Sequence, residues 1–280
     1  MSNLVNSALD KLNRQGTRGL LSGICYLGYK LKGMNVRSVR YLDDLATWEF
    51  RINDDYFYSS GPGWAYSYSY LQKQFFDSLG NQYKPRAGDY VVDVGAGVGE
   101  ELMVFSRLVG ERGKVFSIEA HPHTFKTLTL NNQKNGFTNT VLLNVAVSDV
   151  PGHIFIEGEH NALGNKVNRE SVQGSTKVKS ITIDQLVDEH NIPRINFMKV
   201  NIEGAEQLLI KGIGKAISKI DNMAISCHDF RYEKEGVEFF KTKAIVTEFL
   251  RDNNFEFETR STGISLFDDY VYAYPRGSRN

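Results

Sequence analysis

From about Ala87 onward, short apolar runs alternate with segments of helical period. Four to eight apolar residues bounded by turn residues read as a buried strand, and apolar residues three and four apart read as one face of a helix. Residues 89–94 (DYVVDV), 114–120 (KVFSIEA), 140–147 (TVLLNVAV), 195–202 (INFMKVNI) and 222–228 (NMAISCH) are predicted strands. Helices are predicted over 98–108, 124–135, 184–190, 205–217 and 236–253. Residues 153–158 and 177–182 read as an extra strand pair around a polar loop, and 255–260 (FEFETR) and 270–275 (YVYAYP) close the chain as two strands. Strands joined by helices imply an α/β fold with a doubly wound, mostly parallel sheet, and the closing strand pair suggests an antiparallel edge.

The first 80 residues follow another pattern. Residues 1–35 read as helical and 36–80 as mixed, with 56–70 (YFYSSGPGWAYSYSY) dense in aromatic and small residues. The expected organisation is an N-terminal helical and aromatic-rich extension over 1–80, acting as substrate cap or interface, followed by the α/β domain over 81–280.

Composition narrows the function classes. The 280 residues are 41% hydrophobic and 24% charged, which is globular composition. Lys+Arg and Asp+Glu both number 33, so no global field favours nucleic acid as a partner. Cys25 and Cys227 are too far apart to form a metal-type pair, and a cytoplasmic location is the expectation. No apolar run approaches the ~20 residues that cross a bilayer. Residues 19–33 (GLLSGICYLGYKLKG) are apolar with a basic end; they read as a helix packed on the domain or a second subunit, or as a peripheral membrane contact.

The chemistry gathers at VVDVGAGVGE (91–100). A strand, a glycine-rich turn and a helix bring backbone N–H groups and a helix N-terminus to one spot. Dinucleotide sites need G-x-G-x-x-G, but Gly95, Gly97 and Gly99 read G-x-G-x-G, with Asp93 two residues before the first. That arrangement resembles motif I of the S-adenosylmethionine (SAM)-dependent methyltransferases. A carboxylate beside the turn suits the sulfonium and ammonium of SAM better than a pyrophosphate. Glu119, at the end of the second strand, suits ribose hydroxyls, although NAD sites place an acid there too.

VVDVGAGVGE, then VFSIEAHPHTFKTLTLNNQKNG, LLNVAVSD and ITIDQLVDEHNIPRINFMKVNIEGAE occur in one order over roughly residues 80–230. Together they resemble the FkbM family of SAM-dependent O-methyltransferases. The resemblance implies a seven-stranded, Rossmann-like methyltransferase sheet and methylation of a hydroxyl on a sugar, glycan or natural product. It implies that Asp93, Gly95, Ala96, Gly97 and Gly99 hold the methionine end of SAM, Glu119 with Ala120 and His121 the ribose region, and Ala146 the adenine. The family pattern K-x-D-x-E-G-x-E stands here as Lys199, Asn201, Glu203 and Glu206, with Asn in place of Asp. Glu100 and Glu101 stand where an aromatic is common in the family, which makes the expected cofactor pocket more acidic.

Methyl transfer to oxygen requires an aligned acceptor and removal of its proton. Asn201 and Glu203 after one strand, and His228 after another, are the catalytic candidates, with His228 favoured as general base because imidazole titrates near neutral pH. A capping role for His228, and a macrodipole role for Glu203, are the structural alternatives. No metal site is assigned; Mg2+ at Asn201 and Glu203 belongs to the alternative of a Mg-dependent methyltransferase of a small natural product. A non-catalytic SAM- or glycan-binding protein and a nicotinamide oxidoreductase are the competitors from other classes. Acceptor contacts are expected from the 36–80 region, including Tyr56, Tyr58 and Trp64, and from the loop 158–174.

Overall fold

The computed structural model describes residues 13–63, 65–157 and 166–278. Trp64, His160, the start of the polar loop and the first part of the predicted N-terminal helical region therefore lie outside the described residues.

Helix α1 (Arg18–Leu31) leads into an antiparallel meander of β1 (Val36–Leu42), β2 (Thr47–Ile52) and β3 (Asp55–Ser59). The mixed reading of 36–80 did not predict this sheet. On β2, Trp48, Phe50 and Ile52 face the core, and Glu49 lies on the opposite face, where it is buried, receives a hydrogen bond from the Tyr58 hydroxyl at 2.9 Å and pairs with Arg40. Helix α2 (Tyr68–Asp77) follows, with the Ser67 hydroxyl accepting from the Tyr70 N–H at its start.

The main sheet begins with β4 (Tyr90–Val94), followed by α3 (Glu100–Val109), β5 (Lys114–Ile118), α4 (Pro122–Asn135) and β6 (Thr140–Leu143). The predicted strand 140–147 divides. Asn144 donates from its side-chain amide to the Glu119 and Ala120 carbonyls, at 2.9 and 3.1 Å, and the chain leaves the main sheet there. β7 (Ala146–Val147) joins a second sheet with β8 (Gly152–Glu157), β9 (Lys166–Asn168) and β10 (Thr176–Ile181), in the order β7-β10-β8-β9. After α5 (Ile183–Glu189), which opens with a Thr182/Gln185 capping box, come β11 (Phe197–Val200), α6 (Glu206–Lys211) and β12 (Met223–Ser226).

Two predicted helices are shorter than their sequence pattern. α6 stops at Gly212, where a Cβ would lie 2.2 Å from the Ser148 carbonyl oxygen. The predicted helix 236–253 shortens to α8 (Lys243–Asp252), and the chain forms an unpredicted helix before it, α7 (Asp229–Glu235), ended by Gly236 with φ +68°. Asp229 Oδ2 accepts from the Thr242 and Lys243 N–H groups and so anchors the start of α8. β13 (Phe255–Thr259), the short α9 (Ser265–Asp268) and β14 (Tyr270–Pro275) complete the fold.

The seven main strands run β13-β14-β12-β11-β4-β5-β6. β6, β5, β4, β11 and β12 are mutually parallel, while β14 is antiparallel to both β12 and β13. This is the expected doubly wound, mostly parallel seven-stranded sheet with an antiparallel edge. Side-chain alternation buries both faces. Val92, Phe116, Met198 and Ile225 point into one core with Leu186, Leu209 and Val246. Val91, Val115, Phe197 and Ala224 point into the other, which also takes Leu21, Phe50 and Phe75 from the first 80 residues. Phe75 meets Phe105 and Phe197 edge-on, with ring centroids 5.3 and 6.3 Å away. Strand order reverses between β4 and β11, the place where open α/β sheets form a ligand crevice.

Candidate functional site

The glycine turn after β4 is shaped by what lies beside it. Gly95 has φ +81°, and a Cβ there would lie 2.0 Å from the Asn201 carbonyl oxygen, so only glycine lets the ends of β4 and β11 come this close. The Gly95 and Ala96 N–H groups both donate to the Ile118 carbonyl. Gly97 has φ +55°, and a Cβ there would meet nothing within 4 Å, so its backbone faces open space. Gly99 (φ +95°) begins α3 and packs on Leu128 and Asn131, where a Cβ would lie 2.9 Å from Leu128.

Two cavities meet at this turn. The smaller, about 590 Å3, is an apolar slot between Val94, Ile118, Ala146, Ile154, Ile156 and Ile202. Ala120 and His121 line it too. The larger, about 1520 Å3, runs over Ala96, Gly97 and Glu101 toward the N-terminal meander. Gly95, Glu119, Asn201 and Glu203 line both and form the junction.

Glu119 spans the junction. Its Oε2 accepts from the Gly97 N–H at 3.0 Å and its Oε1 from the His121 N–H at 2.8 Å. Burial raises its pKa to about 7, against the pull of those two N–H groups. Burial and the adjacent Glu101 push Glu100 up to about 7 as well. Both glutamates line the larger cavity, so the acidic character expected from this pair is present on its wall.

Asp93 lies behind the turn and not on either wall. It is fully buried, and its Oδ1 is 3.0 Å from Lys199 Nζ, its neighbour in register on β11. Burial raises its pKa to about 6 while the Lys199 charge draws it down. Lys199 also donates to the Gly95 carbonyl at 2.7 Å. The ion pair thus braces the turn from below, and a direct Asp93 contact with a bound cation does not follow from this placement. The carboxylates facing open space are Glu100, Glu101, Glu119 and Glu203.

Glu203 has a non-glycine left-handed backbone, φ +57°, followed by Gly204 at φ +100°. A Cβ on Gly204 would lie 2.6 Å from Phe240. The tight turn carries the Glu203 carboxylate back to the cavity junction, where Arg231 Nη1 donates to Oε2 at 3.0 Å. His228 Nε2 is 3.8 Å from the same oxygen and His228 Nδ1 is 3.0 Å from Glu206 Oε1. His228 is 2% exposed and lines neither cavity. Burial lowers its pKa, but the Glu206 hydrogen bond and the two carboxylates outweigh this and leave it above the ordinary value. The expected base therefore stands behind Glu203, one layer from the wall, and it begins α7 at the end of β12.

Asn201 lines both cavities, and its N–H donates to the Val94 carbonyl at 3.0 Å. Among the described residues, no three His, Cys, Asp or Glu side chains are grouped to hold a metal ion, so the site lends no support to Mg2+. The opposite wall is built mostly by residues of the 36–80 region that sequence reasoning did not name. Leu45, Thr47, Ser59 and Tyr66 come from the N-terminal meander and its following loop, and Thr124 and Thr127 from α4. Tyr66 stacks on Tyr70 with ring centroids 5.0 Å apart. The aromatic density of 56–70 signalled this wall, but Tyr56 and Tyr58 are not on it: Tyr58 bonds Glu49 and Tyr56 bonds Asn135 through its backbone.

Residues 93–257 match the family model described as the methyltransferase FkbM domain. A hexuronic acid methyltransferase, AglP, of Haloferax volcanii is 28% identical over 168 residues, which is 60% of this chain and 68% of that protein. Among solved structures, a methyltransferase FkbM from Methylobacillus flagellatus KT is 16% identical, with a TM-score of 0.49 over 74% of this chain. This chain spans half the length of the Methylobacillus protein. Aeropyrum pernix fibrillarin, solved with bound SAM, is 13% identical and covers 85% of this chain and 98% of its own, with a TM-score of 0.43.

Proposed function

Since this chain belongs to the FkbM methyltransferase family, whose model it matches over residues 93–257, we propose that it methylates a hydroxyl of a sugar or glycoconjugate with SAM as donor. The observation that carries the reading is the junction of an apolar slot and a polar cleft at Gly95, Glu119, Asn201 and Glu203. SAM has an apolar base, a diol and a zwitterionic end, and the residues present fit each part. The slot at Ala146 takes the adenine, and Glu119 takes the ribose hydroxyls. The open backbone at Gly97 leaves room for the methionine end, with Glu101 on the same wall. Bound there, SAM supplies an activated methyl group on sulfur.

The remaining chemistry belongs to the chain. Asn201 orients the acceptor hydroxyl through its side-chain amide. Glu203 accepts the hydroxyl hydrogen bond, and the proton moves toward the Glu203–His228 pair, whose closest atoms are 3.8 Å apart. Arg231 holds the Glu203 carboxylate in place. His228 acts as a positioning residue and proton sink, one step from the base expected of it. The N-terminal segment to residue 80 forms the acceptor wall, a role supported by Leu45, Thr47, Ser59 and Tyr66 on the cleft.

The relative named for hexuronic acid raises the question of acceptor charge. Glu100, Glu101, Glu119 and Glu203 line the cleft here, and its lysine, Lys199, is committed to Asp93. A uronate would bring another carboxylate to this wall, so the cleft favours a neutral sugar hydroxyl over an anionic one.

Calorimetric titration with SAM and with S-adenosylhomocysteine tests the cofactor reading first. Binding in the micromolar range, about −8 kcal/mol, that weakens in Glu119→Ala supports it. Folded protein that binds neither compound overturns it. Methyl transfer is then read by mass spectrometry with paired neutral and uronic glycosides, and preference for the uronic partner would overturn the charge argument.

A further inference from the structure

Helix α1 is apolar on two faces. Leu21, Cys25 and Tyr29 are buried against the domain. Leu20, Ile24, Leu27 and Leu31, spaced four, three and four apart, are 68%, 44%, 62% and 89% exposed. The other exposed large apolar side chains of the described residues stand singly along the sequence, whereas these four form one stripe about 16 Å long at the helical rise.

The charge around the stripe has one sign. Residues 13–42 hold six Lys and Arg and no Asp or Glu, in a chain of zero net charge. Asp43, Asp54 and Glu49 neutralise Arg18, Arg37 and Arg40. Arg14, Lys30 and Lys32 have no ion pair among the described residues. Lys30 lies over the Tyr26 ring at 5.2 Å and Lys32 over Tyr29 at 5.9 Å, at the C-terminal end of the stripe.

We propose that the outer face of α1 docks on an anionic lipid bilayer, with Leu20, Ile24, Leu27 and Leu31 entering the acyl boundary and Arg14, Lys30 and Lys32 meeting lipid phosphates. An apolar stripe bordered by unpaired cations, with a tyrosine at the edge, fits an interface that is apolar within and negative at its surface. A second copy of the chain fits poorly. Two α1 helices packed stripe to stripe bring cation against cation, with no acid in 13–42 to meet them.

Docking also orients the cleft. The Tyr29 hydroxyl, on the inner face of the same helix, donates to the Pro62 carbonyl at 2.7 Å and accepts from the Ala65 N–H at 3.2 Å. The next residue, Tyr66, lines the cleft, so the helix and the acceptor wall are tied together.

Co-sedimentation with phosphatidylcholine vesicles, with and without phosphatidylglycerol, tests the proposal on the full chain. The protein is expected to pellet with the anionic vesicles and to be released by salt. Leu27→Glu/Leu31→Glu, with an unchanged melting curve, is expected to lower the partition coefficient at least about tenfold. Lys30→Gln/Lys32→Gln leaves the apolar stripe intact and is expected to weaken binding to the anionic vesicles alone; it decides the matter if the leucine variant fails to fold. Wild-type protein that stays in the supernatant overturns the proposal. So does undiminished binding by the leucine variant or, for the lysine variant, undiminished and salt-independent binding. Sedimentation velocity that shows a dimer lost in the leucine variant, without vesicle binding, assigns the stripe to a second copy and overturns it as well.

Discussion

Lys199 carries a charge into the middle of the main sheet, where it meets Asp93 on the adjacent strand and the Gly95 carbonyl. Removing one partner of a buried pair leaves the other unpaired, which costs about 3–5 kcal/mol. Lys199→Met is therefore expected to lower the urea midpoint sharply, and Asp93→Asn in the same chain to recover part of the loss. A midpoint unchanged by Lys199→Met would show that the pair does not brace the turn. Glu119 gives a pH signature. Its folded pKa is about 7 against a model-peptide value of 4.5, so the folded state holds a proton the unfolded state has released. The stability of the ligand-free protein then falls as pH rises from 4.5 to 7, by roughly 3 kcal/mol from this group alone. Glu119→Gln is expected to flatten that fall in denaturation curves taken across the window. His228, also raised above its ordinary value, gives a slope of the same sign. It stabilises the fold below pH 6.5, and that contribution fades as pH rises through its folded pKa. At the reacting end, Glu203→Gln is expected to lower kcat by 10²–10⁴-fold with SAM affinity unchanged. His228→Asn should lower kcat less and move the pH profile; no effect of either on kcat would remove the Glu203–His228 pair from the chemistry.

Elements are joined here by side chains that take up the ends of neighbours. Asp229, at the start of α7, accepts both N–H groups that open α8. Asp229→Ala is expected to destabilise the protein by about 1–2 kcal/mol, read as a lower melting temperature. The β4–α3 turn depends on an approach that permits no side chain. Gly95→Ala would put a Cβ 2.0 Å from the Asn201 carbonyl oxygen at positive φ, and a loss of at least about 3 kcal/mol is expected. The strands of the α/β region were legible as apolar runs because parallel strands are buried on both faces. The meander was not: β2 does alternate, with Trp48, Phe50 and Ile52 in the core and Glu49 and Arg51 on the other face, but its partner β1 has a register shift between Val36 and Ser38 that breaks the period of two. Helix ends were misjudged where a local signal was passed over, as at Gly212, whose lack of a side chain also lets the Ser148 carbonyl oxygen approach closely.

Over the whole molecule, the first 80 residues share a core with the α/β sheet through Leu21, Phe50 and Phe75. A chain lacking residues 1–80 would expose Phe105 and Phe197, and it is expected to be insoluble or to melt without a cooperative transition. A soluble, cooperatively melting truncation would make the segment a separable domain. No helix among the described residues is long and apolar enough to cross a membrane. The sequence by itself determined the doubly wound sheet, the glycine turn and the family, because periodicity, turn residues and motif spacing are local properties of the chain. Only the tertiary structure decided which of the motif residues face open space. Asp93 and His228 sit at strand ends as the sequence suggests, yet Asp93 is turned to Lys199 and His228 to Glu206. The register of β4 against β11, and the packing of α7 beneath the Glu203 turn, direct those side chains inward. Such pairings join residues about a hundred positions apart in one case, and no local pattern encodes them.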